Sequence, residues 1–218
     1  MNYTELKAAI IAYTENQDSS FEAEVPVFVR QAEQRIYNSV QFPSLRKNVT
    51  GSTSASNKYL ACPSDFLAVY SMAVVDGTGR YEYLLNKDVN FIRQAYPAPT
   101  SVGLPRYYAL FGPQSNDVNE LTFILGPTPD AAYSVELHYF FYPESIVTAG
   151  NTWLGDNFDS VLLYGSLVEA YTYMKGEQDI LQLYNTKFME ALALAKRLGD
   201  GMERTDAYRT GQARVPVT

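Results

Sequence analysis

The sequence holds one cysteine, one histidine and one tryptophan in 218 residues. The single thiol, Cys62, excludes an intrachain disulfide and points to a reducing compartment, or one where redox does not matter. One imidazole and one thiol cannot build a zinc site of known spacing. Any serine or cysteine nucleophile would have to use His138 as its base. Basic residues are also scarce: 17 Lys+Arg against 24 Asp+Glu give a net charge of −7. That argues against a nucleic-acid binder that grips phosphates, because such binding depends on Lys and Arg displacing counterions. Long apolar runs are missing too. The longest, Leu67 to Val75, already contains Ser71, whereas a membrane span needs about 20 residues. No membrane partner is expected. The start, Met1-Asn-Tyr-Thr-Glu-Leu-Lys7, lacks the basic opening of a signal peptide.

What is present suits a globular protein. Hydrophobic residues make up 46% and charged residues 19%, an ordinary balance. The length allows one elaborate domain or two small ones. Tyrosine is in surplus, at 18. Its ring packs while its hydroxyl stays wet, which favours interfaces.

Periodicity predicts helices over 4–16 and 24–41 at the start. Thr4 is the expected cap of the first, and Pro26 lies in the expected first turn of the second. Residues 44–150 then change character. Short β-prone runs (Leu60–Cys62, Leu67–Val75, Tyr81–Leu85, Tyr107–Phe111, Leu121–Leu125, Tyr133–Tyr142) alternate with turn clusters such as Asp76-Gly-Thr-Gly79 and Gly51–Asn57. Asn86–Tyr96 reads as a short helix. Two more helices follow: Phe158–Lys175, capped by Asp156 or Asn157 and closed by Gly176, and Gln178–Leu198, closed by Gly199. The expected fold is α+β. Terminal helices (1–43 and 151–198) form a four-helix bundle, and an antiparallel β-rich insertion (44–150), a sheet or a small barrel, lies between helices 2 and 3. A C-terminal docking tail (199–218) completes it.

No catalytic constellation stands out, and the chain reads as non-enzymatic. His138 lies in an alternating strand with Glu136 and Phe140. Ser166 follows Gly165 inside a helix stripe, with no G-x-S-x-G elbow. Cys62 precedes Pro63 and reads as a small buried hydrophobe. The pairs Asp156/Asp159 and Glu22/Glu24 sit at helix starts, where capping and the helix dipole explain acidic residues. No metal or cofactor is expected. Residues 204–218 carry Arg204, Arg209 and Arg214 against Asp206, with Tyr208 and Val215-Pro-Val217. This is either a frayed terminus or an arm that orders on docking.

Three stretches carry a family resemblance: Phe28-Val-Arg-Gln-Ala-Glu-Gln-Arg-Ile36, Tyr59-Leu-Ala-Cys-Pro-Ser-Asp-Phe-Leu67, and Trp153-Leu-Gly-Asp-Asn-Phe158 with Leu162–Tyr171 and Met174-Lys-Gly-Glu177. In order they resemble the tail tubular protein A-like head-to-tail adaptors, or gatekeepers, of short-tailed bacteriophages. The resemblance implies a virion protein of the tail and neck, assembled in the host cytoplasm. It implies a ring of about twelve copies closed by head-to-tail contacts. The partners it implies are the portal protein, the tail nozzle protein, further copies of the chain and the tail fibre. DNA would be retained after packaging and ejected through the channel without sequence-specific binding. The tail, through Arg204, Tyr208, Arg209, Arg214 and Val215, would bind the portal.

Other readings compete with this one. The chain could be another ring-forming part, a tail-completion or nozzle protein. It could be a β-rich module binding a ligand or carbohydrate through exposed tyrosines and Trp153. It could also be an enzyme built on His138.

Overall fold

A computed structural model describes residues 1–40, 42–113 and 121–203. In chain order the elements are α1 (Tyr3–Thr14), α2 (Ser19–Ser39), a 3-10 turn (Pro43–Leu45), β1 (Arg46–Ser52), β2 (Tyr59–Ala61), β3 (Ala68–Val75), β4 (Tyr81–Tyr83) and β5 (Leu85–Asn86). Then come α3 (Val89–Ala95), β6 (Tyr107–Phe111), β7 (Thr122–Gly126), β8 (Ser134–Phe140), α4 (Ile146–Ala149), α5 (Trp153–Asn157), α6 (Asp159–Met174) and α7 (Gln178–Glu203). The class is α+β. The chain divides into two compact units, one of Met1–Leu45 with the chain from Pro143 onward, the other of Arg46–Tyr142.

In the first unit α6 packs against α1, α2 and α7. It can do so because its residues are apolar on most sides: Val161, Leu162, Leu163, Leu167, Val168 and Ala170 are all buried. Gly165 lets α2 and α7 come close to it. A Cβ there would stand 3.1 Å from Phe188 of α7 and 3.2 Å from Ala32 of α2.

Helix ends differ from the expectations in instructive ways. Asn2, not Thr4, caps α1, and Asn2 and Glu5 form a reciprocal capping box. α2 begins at Ser19, because Phe21 extends its buried stripe backward. Pro26 therefore lies inside the helix rather than in its first turn. α5 precedes α6, so Phe158 rather than Asp156 or Asn157 stands at the N-cap of α6, without a side-chain bond. Lys175, not Gly176, takes the left-handed conformation at the end of α6. α7 runs through Gly199, which is buried, instead of stopping there.

The second unit holds two four-stranded sheets rather than a closed barrel. One has the order β1-β8-β3-β4 and is antiparallel; the other has the order β2-β7-β6-β5, with β5 parallel to β6. The sheets share a core. Met72, Val74, Val135, Leu137 and Tyr139 come from the first, and Tyr108, Phe123 and Leu125 from the second. α3 covers the other face of the second sheet through Ile92 on Ala109 and Ile124. Strand β8 alternates as expected, with Val135, Leu137 and Tyr139 buried. The Asp76–Gly79 turn joins β3 to β4; Gly79 has φ 86°, and Asp76 Oδ1 accepts hydrogen bonds from the backbone N–H groups of Thr78 and Arg80.

Candidate docking surfaces

The residues expected to bind the portal, Arg204, Tyr208, Arg209, Arg214 and Val215, lie outside the described residues. α7 carries the chain to Glu203, next to them.

The catalytic candidates fall to separate places. The His138 side chain is 45% exposed, with Nε2 3.6 Å from Glu136 Oε1. That oxygen also accepts from Asn48 Nδ2 at 3.2 Å. Cross-strand register sets Asn48 and Ser71 beside His138. Cys62 is buried in the core between the sheets. Ser166 is fully buried, and its Oγ donates to the Leu162 carbonyl of its own helix at 2.8 Å. The carboxylates have local partners. Glu22 pairs with Lys7 at 3.0 Å, Asp159 accepts from the Ser160 N–H, and Asp156 accepts from Asn151. Among the described residues no group of three or more His, Cys, Asp and Glu is placed to hold a metal ion. None of their helices is long and apolar enough to cross a membrane.

Two charged sites hold structure. Asp65 takes a 2.8 Å bond from Lys47 Nζ and another from the Tyr139 hydroxyl. The Lys47 ammonium holds the Asp65 carboxyl below its ordinary range, and Asp65 holds Lys47 above its own. Glu33, on α2, is buried and accepts from the Ile146 N–H at the start of α4. Desolvation pushes its carboxyl up, against the pull of that hydrogen bond.

Much of the tyrosine surplus is structural. Tyr13, Tyr164, Tyr171 and Tyr184 form one ring cluster between helices, where burial pushes the Tyr184 hydroxyl up to about 12. Trp153 packs on Phe42 and Phe158 at centroid distances of 5.1 and 5.5 Å. It packs, half-buried, against the core of the helical unit. A second set stands outside. On the β1-β8-β3-β4 sheet, Tyr70, Tyr81 and Tyr83 are exposed, and the Arg46 guanidinium lies 4.5 Å over the Tyr70 ring. Tyr70 projects at a bulge between Val69 and Ser71.

The other exposed apolar set is on α7. Leu183, Leu194 and Leu198 are 54, 63 and 48% exposed. The buried stripe of the same helix holds Phe188, Leu192 and Ala195. Leu183, Leu194 and Leu198 are spaced in the sequence to share one face of the helix, which is the signal that marks this second stripe.

One cavity of the second unit, about 260 Å³, opens beside β1 and β2 over Leu60, Cys62, Phe123 and Leu137. An apolar lining without convergent polar groups does not make a catalytic pocket. The exposed Tyr70, Tyr81 and Tyr83 are of a residue type enriched at protein interfaces. No curated protein matches the sequence. A family model described as SU10 adaptor protein matches residues 1–216, through both units and nearly the whole length, and on that match the chain belongs to the SU10 adaptor protein family, a family of phage head-to-tail adaptors.

Proposed function

We propose that this adaptor forms a ring of about twelve copies, head to tail, between the portal and the tail nozzle. The ring surrounds part of the DNA channel, holds packaged DNA in the head and passes it during ejection. Its partners are the portal, the nozzle and further copies of itself, and residues 204–218 bind the portal. The observation that carries this reading is the family match over residues 1–216. The exposed tyrosines support it, because interfaces are enriched in such side chains. The net charge of −7 supports a channel through which DNA slides, since the mean field repels phosphate.

The test is to mix the purified protein with its portal and image the complex by electron microscopy. A ring of added density on the tail side of the portal is expected. Absence of association at micromolar protein would sink the proposal.

A further inference from the structure

We infer that copies of this chain contact each other through helices: the outward leucines of α7 in one copy pack on the outward face of α1 in the next. The inference rests on the ring proposed above and names its contact.

The α7 side is a line of large apolar groups. Leu194 lies about three turns beyond Leu183, and Leu198 one turn further, so the three share a stripe. The stripe faces away from the buried Phe188, Leu192 and Ala195. Within it lie Lys187 and Glu190, joined at 3.2 Å, and beside it Arg197. Between Leu183 and Leu198, Lys187 and Arg197 against Glu190 leave the stripe one net positive charge.

The α1 side is complementary in shape and charge. Leu6 and Ile10 are its buried residues. The opposite face presents Ala8 and Ala12, both exposed. Exposed Glu5 and Glu15 stand at its two ends, and no cation lies on that line. Small residues let a helix with leucine knobs approach closely, and the carboxylates meet the charge of Lys187 and Arg197.

Size decides between a permanent dimer and a contact that needs a ring. Three half-exposed leucines and two alanines amount to a few hundred Å² per copy, against about 800 Å² per partner in a stable interface. One such contact is too small to hold two copies in dilute solution. Assembly on a portal supplies the local concentration that closes it.

The experiment uses the full chain assembled on its portal. Ala8→Cys and Leu194→Cys are combined in one chain; Cys62 is buried and stays. Mild oxidation should give a ladder of covalent multimers from assembled particles, and none from either single variant. Leu194→Asp should reduce portal-bound protein about tenfold while circular dichroism shows a folded chain. Normal ring formation by Leu194→Asp, or an assembled double-cysteine ring without a ladder, would overturn the helix contact and leave the ring standing. Failure of the wild-type protein to form any ring would instead overturn the proposed function on which the contact rests.

Discussion

Glu33 Oε1 accepts a 2.8 Å hydrogen bond from the Ile146 backbone N–H, joining residues 113 positions apart. The carboxylate thereby satisfies the start of α4 from the middle of α2. Burial raises the Glu33 pKa above 4.5, so the folded state holds that proton more tightly than the unfolded chain. The stability this confers is complete below about pH 4.5 and is lost as pH rises through the raised folded value. Glu33→Gln keeps an acceptor and removes the titration. It should gain on the wild type between pH 5 and pH 8 in urea unfolding. Glu33→Ala leaves the Ile146 N–H without its partner and should cost about 1–3 kcal/mol at either pH. Equal pH profiles for wild type and Glu33→Gln would contradict the account.

Gly165 and Phe188 set the spacing of α6 and α7. An added methyl would press on the Phe188 ring at 3.1 Å and on Ala32 at 3.2 Å. In an open helix Gly→Ala would gain about 1 kcal/mol from propensity. Here overpacking, at about 1–3 kcal/mol, wins. Gly165→Ala should therefore lower the midpoint of thermal unfolding, and Gly165→Ala with Phe188→Leu should recover part of the loss. Phe188→Ala alone, at a site with no exposure, should cost about 3–5 kcal/mol.

Asp65 gives the acid limb of stability. Lys47 depresses its pKa below 3.8, and the Tyr139 hydroxyl adds to this. Its contribution is present above the unfolded value and is lost as pH falls through the lower folded one. Asp65→Asn should flatten the decline in stability below about pH 4, measured by urea unfolding. An unchanged acid limb would show that Lys47 and Tyr139 exert no net pull on this carboxyl in solution.

Where the sequence carried a periodic apolar signal, it was readable. β8 alternates through Val135, Leu137 and Tyr139, and the structure buries those three. β1 was missed: Arg46-Lys-Asn-Val-Thr-Gly-Ser52 is almost wholly exposed, so it has no alternation to detect. It becomes a strand because β8 offers it a continuous ladder from Arg46 to Ser52. Boundaries were harder than elements. Gly199 looked like a helix stop, yet it falls on the buried side of α7, where the absence of a side chain suits packing. His138 was placed on an alternating strand from sequence, but its neighbours Asn48 and Ser71 depend on cross-strand register, which no local pattern encodes.

The last prediction separates folding from attachment. Among the described residues, Ala195 is the last buried side chain of the helical unit's hydrophobic core. If residues 204–218 act as a docking arm and not as part of the core, deleting them should move the thermal midpoint by no more than about 1 °C, since a shift of several degrees needs about 1 kcal/mol. The deleted segment carries Arg204, Arg209 and Arg214 with Tyr208, the residue types that dominate binding energy at interfaces. If these bind the portal, charge-assisted bonds from the arginines and burial of Tyr208 supply the affinity. The truncated protein should then fold normally, fail to co-sediment with portal, and leave DNA-filled heads that leak their genome. A full alanine replacement of the three arginines should weaken portal binding and its dependence on salt together. Portal binding by the truncated protein at wild-type affinity would move the attachment site off the tail and onto the helical or strand unit.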